Sequence, residues 1–193
     1  MKTHLIQSRE EFGPEERRAE LRECWLRNDR LFDAYTHPEG RPTFTEMFAL
    51  CKPGYLNVIA NSDIYFDAFG IRVAAESISQ GTMYALSRHD VDADGNATLW
   101  DHADSQDVWM VYDGPHEVNF PFTMGVAGCD NALMYILQHK GFTVLNPSRT
   151  ICAYHLHNVQ WRSYLVNPDG TARGGNKIER VPPPYGFVKP VHL

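Results

Sequence analysis

Apolar positions in this chain fall into short runs separated by polar, glycine-rich stretches, and helical spacing alternates with strand-like blocks. Residues 4–8 read as a first strand. Leu21, Cys24, Trp25 and Asn28 then recur on one helix face, behind Pro14, Glu15 and Glu16, which suit a helix's first turn. Residues 31–35 form a second expected strand. Thr43-Phe44-Thr45-Glu46 has the form of a capping box opening a short helix through Leu50. Residues 56–60, apolar apart from Asn57, fit a central strand covered on both faces. A helix is expected over 68–79, stopped by Gly81, and a strand over 82–87. Residues 108–112 are apolar and aromatic throughout and read as a buried strand. A helix over 131–140, closed by Gly141, and strand pieces at 142–145 and 151–158 complete the core.

Two stretches break the pattern. Residues 89–107 are polar and carry the turn residues Asp92, Asp94, Gly95 and Asn96, so a loop is expected there. From residue 166 proline and glycine accumulate, which predicts a tail that wraps the body or covers the site. Strands alternating with helices argue for an α/β fold with a mostly parallel central sheet flanked by helices, whose ligands bind beyond the carboxyl ends of the strands. The expected organisation is one domain over 1–165 with residues 166–193 packing on it as a tail.

A chain of 193 residues with 43% hydrophobic content is long and apolar enough to bury one core. The net charge of -6 argues against a broad basic surface for nucleic acid. Arg17, Arg18, Arg22, Arg27 and Arg30 are interleaved with Glu15, Glu16, Glu20, Glu23 and Asp29, and read as a solvated helix face. Cys24, Cys51, Cys129 and Cys152 show no Cys-x-x-Cys spacing and read as reduced thiols. No run approaches the ~18 apolar residues of a membrane span, and a cytoplasmic location is expected.

Chemistry concentrates at three places. Asp63 follows the apolar run 58–60, where a carboxylate at the carboxyl edge of a central strand could hold a divalent cation. It equally suits a helix cap or a turn; Asn61 would be a further oxygen ligand or an orienting group. Asp130, beside Gly128, is placed to act as a general base, and also to cap the helix after it. His155 and His157 are two apart, so on a strand they share a face, which suits a metal or a phosphate or else a buried pair without function. Arg88 and Arg162 could neutralise an anion or lie on the surface. The quartet Asp104-Ser105-Gln106-Asp107 suits either a sugar or a turn.

Taken in order, five segments resemble a group of glycosyltransferase-like proteins of the GT-A type, over about residues 44–164. They are Ala60-Asn61-Ser62-Asp63-Ile64-Tyr65-Phe66, Ala85-Leu86-Ser87-Arg88, Asp104-Ser105-Gln106-Asp107-Val108-Trp109, Gly128-Cys129-Asp130-Asn131 and Tyr154-His155-Leu156-His157. The resemblance implies a single Rossmann-like GT-A domain that moves a sugar from a nucleotide-diphosphate donor to an acceptor hydroxyl, with inversion. Asn61-Ser62-Asp63 is similar to the acidic motif that holds Mn²⁺ or Mg²⁺ against the diphosphate, with one acid where many relatives have two. His157 or His155 would complete the metal shell, and Asp130 would be the base. Donor contacts would come from Asn61, Ser62, Arg88, Gln106, Asp107, Asn131 and Arg162. The acceptor would be a glycan, a small molecule or a modified nucleic acid, the last disfavoured by the acidic balance. Two other readings remain: a metal-dependent hydrolase or oxygenase built on the histidines and an acid, and a non-catalytic nucleotide-sugar-binding module.

Overall fold

The computed structural model describes residues 1–114, 119–159 and 180–193. In chain order the elements are β1 (Lys2–Ile6), α1 (Glu15–Asn28), β2 (Ala34–Thr36), α2 (Phe44–Ala49), β3 (Tyr55–Ala60), β4 (Ile64–Tyr65), α3 (Ala68–Ser77) and β5 (Thr82–Leu86). They continue with β6 (Arg88–Val91), β7 (Ala97–Leu99), β8 (Val108–Tyr112), α4 (Cys129–His139), β9 (Thr143–Leu145) and β10 (Ala153–Leu156). Six strands form a central sheet in the order β2-β1-β3-β8-β5-β9. Five share one direction and β8 runs against its neighbours β3 and β5, so the protein is α/β with a mostly parallel, mixed sheet.

Alternation along the strands divides the core into two layers. Val108 and Met110 of β8 turn towards Ile71, Ala74 and Ala75 of α3. Trp109 and Val111 turn to the other face, against Phe44, Met47 and Phe48 of α2 and Leu133, Met134 and Leu137 of α4. The unbroken apolar run of β8 follows from this double covering. Helix α1 packs Leu21, Cys24 and Trp25 against Tyr65 and Val91 of a second, four-stranded sheet ordered β4-β10-β6-β7.

The capping box forms as the sequence implies. Thr43 Oγ1 accepts the Glu46 N–H at 3.2 Å, and Glu46 Oε2 accepts the Thr43 N–H at 2.7 Å. Removing the hydroxyl with Thr43→Ala should destabilise the protein by ~1 kcal/mol, as a lowered midpoint in urea with an unchanged slope. No change in midpoint would show that the bridge from Thr43 to Thr123 holds α2 in place without the cap.

Two expectations change. Residues 89–107 do not form a plain loop: β6 and β7 make a hairpin whose turn is closed by Asp92, which accepts the N–H groups of Asp94 and Asn96 at 2.9 Å each. Polar composition hid β6 because the strand is stabilised by pairing with distant β10, which composition does not record. Helix α4 begins at Cys129, earlier than expected, with Gly128 as its cap at φ 81°, a left-handed value that suits glycine.

The last residues do pack on the body. Val181 and Val188 are buried, the Val188 N–H donates to Ala103 O at 3.0 Å and the Val191 N–H to Asn146 O at 2.8 Å. Residues 166–179 of the expected tail lie outside the described residues, as does Arg162. Among the described residues no helix is long and apolar enough to cross a membrane.

Candidate functional site

The site grows out of the point where the chain reverses its order of adding strands. From β1 the chain moves to β2 on one side, and β3 is laid down on the other side of β1. The carboxyl ends of β1 and β3 therefore part and leave a crevice, the usual ligand position in such sheets. A cleft of about 270 Å³ occupies this position, with Ser8 after β1 and Asn61, Ser62 and Asp63 after β3 in its wall.

The turn carrying Asp63 is pinned from beneath by buried amides. Gln7, fully buried, donates through Nε2 to the carbonyls of Asn61 and Ile64 at 2.7 and 2.8 Å. Asn28 Nδ2 donates to Gln7 Oε1 and to Ile64 O, while Trp25 Nε1 holds Ser62 O at 3.0 Å. Neither Gln7 nor Asn28 stood out in the sequence as a support for the site. The signal for Asn28 was its place on the buried stripe of α1.

Strand β4 follows the turn at once and pairs antiparallel with β10, setting Ile64 opposite His155. The Leu156 N–H closes the arrangement on Asp63 O at 3.1 Å. This pairing carries both imidazoles to the acid, 92 residues away in sequence for His155. His155 Nε2 lies 3.2 Å and His157 Nδ1 3.7 Å from Asp63 Oδ2. One ligand atom from each of the three residues falls within 4.8 Å of the others, and all three line the cleft.

Arg17 corrects the reading of α1 as a solvated basic face. Arg18, Arg22 and Arg27 are 40–46% exposed, but Arg17 is 1% exposed. Its guanidinium pairs with Asp63 and with Glu20, and donates to Leu156 O at 2.7 Å. Positions 17, 21, 24, 25 and 28 share the buried face, so the helical stripe contained the signal.

The charges form one connected chain. His155 Nδ1 donates to Asp90 Oδ1 at 2.7 Å, and Arg88 Nε donates to the same oxygen at 2.8 Å. Arg88 Nη1 reaches Asp107 Oδ2 at 3.2 Å, and Asp107 Oδ1 accepts from Asn61 Nδ2 at 2.8 Å. Arg88, Asn61 and Asp107 all line the cleft. Arg88 is largely committed to protein partners, leaving Nη2 without a hydrogen bond among the described residues.

Ionisation follows from these neighbours. Burial alone would lower the His155 pKa, but the carboxylates of Asp63 and Asp90 carry it up to about 9. Burial works to raise that of Asp63, and His155, His157 and Arg17 together hold it well below the usual carboxylate range. The hydrogen bond from His155, with Arg88 beside it, takes Asp90 down to about 2 despite partial burial.

Asp130 stands apart from this group. It lies in the first turn of α4 and accepts the Gln106 N–H at 3.2 Å. Burial pushes it up to about 6, against hydrogen bonds from the Gln106 and Asn131 N–H groups and with a further push from nearby Asp107. Gly128, not Asp130, takes the cap position of the helix, and Asp130 is not among the residues lining the cleft, although Asp107 and Gly125 are. Nor does Asp63 cap α3, since Asp67 takes that role by accepting the Gly70 N–H at 2.6 Å. Gln106 and Asn131, expected against the donor, are 3% and 7% exposed and lie outside the cleft lining. Their amides hold the 103–104 carbonyls, bracing the quartet against α4.

Compared with known proteins, the chain matches no protein-family model, no curated protein and no solved structure.

Proposed function

We propose that this protein is a glycosyltransferase of the GT-A type, transferring a sugar from a nucleotide-diphosphate donor to an acceptor hydroxyl with help from a divalent cation. The observation that carries the reading is the convergence of Asp63, His155 and His157 in a cleft at the carboxyl ends of β1 and β3. Two imidazole nitrogens and one carboxylate oxygen form a donor set suited to Mn²⁺ more than to Mg²⁺, which prefers oxygen and keeps its waters. A cation there would offset the charge that builds on a departing diphosphate.

The remaining steps belong to the chain's own groups. Arg88 offers Nη2 to an anionic donor oxygen, since its other nitrogens are held by Asp90, Asp107 and Ser105. Asn61 and Asp107 present a fixed amide and carboxylate to sugar hydroxyls. Asp130, with its carboxyl brought close to neutral pH, lies outside the cleft lining, so it would take the acceptor's proton through a bridging water as the new glycosidic bond forms.

A thermal-shift panel of nucleoside diphosphates and nucleotide sugars, with and without Mn²⁺, tests the reading. A ligand present at 100 times its Kd stabilises by ~2.7 kcal/mol, so one nucleotide series should raise the melting temperature, and more so with Mn²⁺. A melting temperature indifferent to every nucleotide would refute it.

A second reading has its own support: the three ligands alone make a two-histidine, one-carboxylate set of the kind that metal-dependent hydrolases and oxygenases use. It requires tight metal binding without nucleotide. Arg17 opposes this, because its buried cation already neutralises Asp63 and would repel a second one unless a donor's phosphates accompany it.

A further inference from the structure

Asp90 was too weakly marked in the sequence to receive a role, yet its position in the second sheet is specific. Strand β6 lies between β10 and β7, and the register sets Asp90 beside His155 on one side and Thr98 on the other. In a parallel pair, register partners point to the same face, so the Asp90 carboxylate meets the His155 ring edge-on. The contact is 2.7 Å to Nδ1, the nitrogen facing away from the acid of the cleft, while Nε2 faces Asp63 at 3.2 Å. Asp90 is itself fixed, because Arg88 Nε donates to the same Oδ1 at 2.8 Å.

From this geometry we infer that Asp90 is a positioning residue: when a cation shared with Asp63 and His157 displaces the Nε2 proton of His155 to solvent, Asp90 keeps the other proton on Nδ1 and holds the ring with Nε2 towards the cation. The inference rests on the metal site proposed above. Its physical basis is general: a metal-bound imidazole whose other nitrogen donates to a carboxylate is held in one tautomer and one ring orientation, and is a stronger ligand for it. Placing the partner on a central strand instead of a loop removes the slack that would blur this orientation. Arg88 Nε and His155 Nδ1 meet the same oxygen of Asp90, so the guanidinium favours the rotamer that keeps this oxygen on the ring.

The test compares Mn²⁺ affinity in the presence of a nucleoside diphosphate, by titration calorimetry, in wild type, Asp90→Asn and Asp90→Glu. Asp90→Asn should weaken Mn²⁺ binding ~10–100-fold, and Asp90→Glu should recover part of the loss. In the protein loaded with Zn²⁺ and a nucleoside diphosphate, long-range ¹H–¹⁵N spectra should show His155 protonated at Nδ1 in wild type and a different tautomer balance in Asp90→Asn. Thermal melts without metal separate a structural role, which would lower stability while leaving the affinity of the folded protein unchanged. Equal Mn²⁺ affinity in wild type and Asp90→Asn, or ligation through Nδ1, would overturn the inference and leave the metal site standing. A wild-type protein that binds neither Mn²⁺ alone nor Mn²⁺ with a nucleoside diphosphate would overturn both.

Discussion

Asp130→Asn is expected to cut sugar transfer by ~10²–10⁴-fold, the usual contribution of a positioned base, while leaving donor binding intact. Asparagine keeps an acceptor for the Gln106 N–H but cannot take a proton. In wild type, transfer should rise with pH through about 6 as the buried carboxyl ionises, then level off. The same substitution should stabilise the fold. Burial raises this acid's folded pKa above its unfolded one, so between about pH 4 and 6 the unfolded chain holds fewer protons, and wild-type stability falls as pH rises. Above pH 6 the asparagine variant avoids that cost, on the order of 1–3 kcal/mol, and the advantage disappears as pH falls towards about 4. Melts and initial rates over the same pH series read both effects. Undiminished transfer removes Asp130 as the base, and no stability gain at pH 8 shows that its carboxylate is better solvated than its surroundings indicate.

Asp63→Ala should abolish the Mn²⁺ dependence of nucleoside-diphosphate binding, with a loss well beyond the ~10–100-fold of a residue that acts through a ligand. It should also destabilise the protein, because Arg17 remains buried without one of its two carboxylates. Stripping a buried charge of its partner typically costs ~3–5 kcal/mol. Glu20 and the Leu156 carbonyl stay in place, so the observed loss should fall below that range. Asp63→Asn keeps an acceptor for Arg17 with no charge, and separates the two effects: it should fold better than the alanine variant and still bind Mn²⁺ poorly. Calorimetry giving all three proteins equal affinity for a nucleoside diphosphate with Mn²⁺ would take Asp63 out of the site.

Much of the scaffold could be read from local pattern. The helical stripe through Leu21, Cys24 and Trp25, the capping box at Thr43 and Glu46, and the continuous apolar run of β8 each reflect forces acting within about a dozen residues. So does the shared face of His155 and His157, which follows from the two-residue period of a strand. Arg17 was misread because its helix is mostly exposed and acidic neighbours made a solvated face the simpler inference; its burial depends on Asp63, 46 residues later. Strand β6 was missed for the same reason, since its partner β10 is distant in sequence.

The sequence by itself determined the helices and the strands of the central sheet, the alternation that makes an α/β sheet, and the residue types able to bind a cation. Those follow from periodicity and side-chain chemistry, which are local. Only the tertiary structure decided which groups meet. The reversal of β8, the pairing of β4 with β10 that brings both histidines to Asp63, the burial of Arg17 against that acid, and the position of Asp130 outside the cleft lining all come from long-range strand register and packing. Register depends on the simultaneous packing of many distant side chains, and no short window of sequence records it.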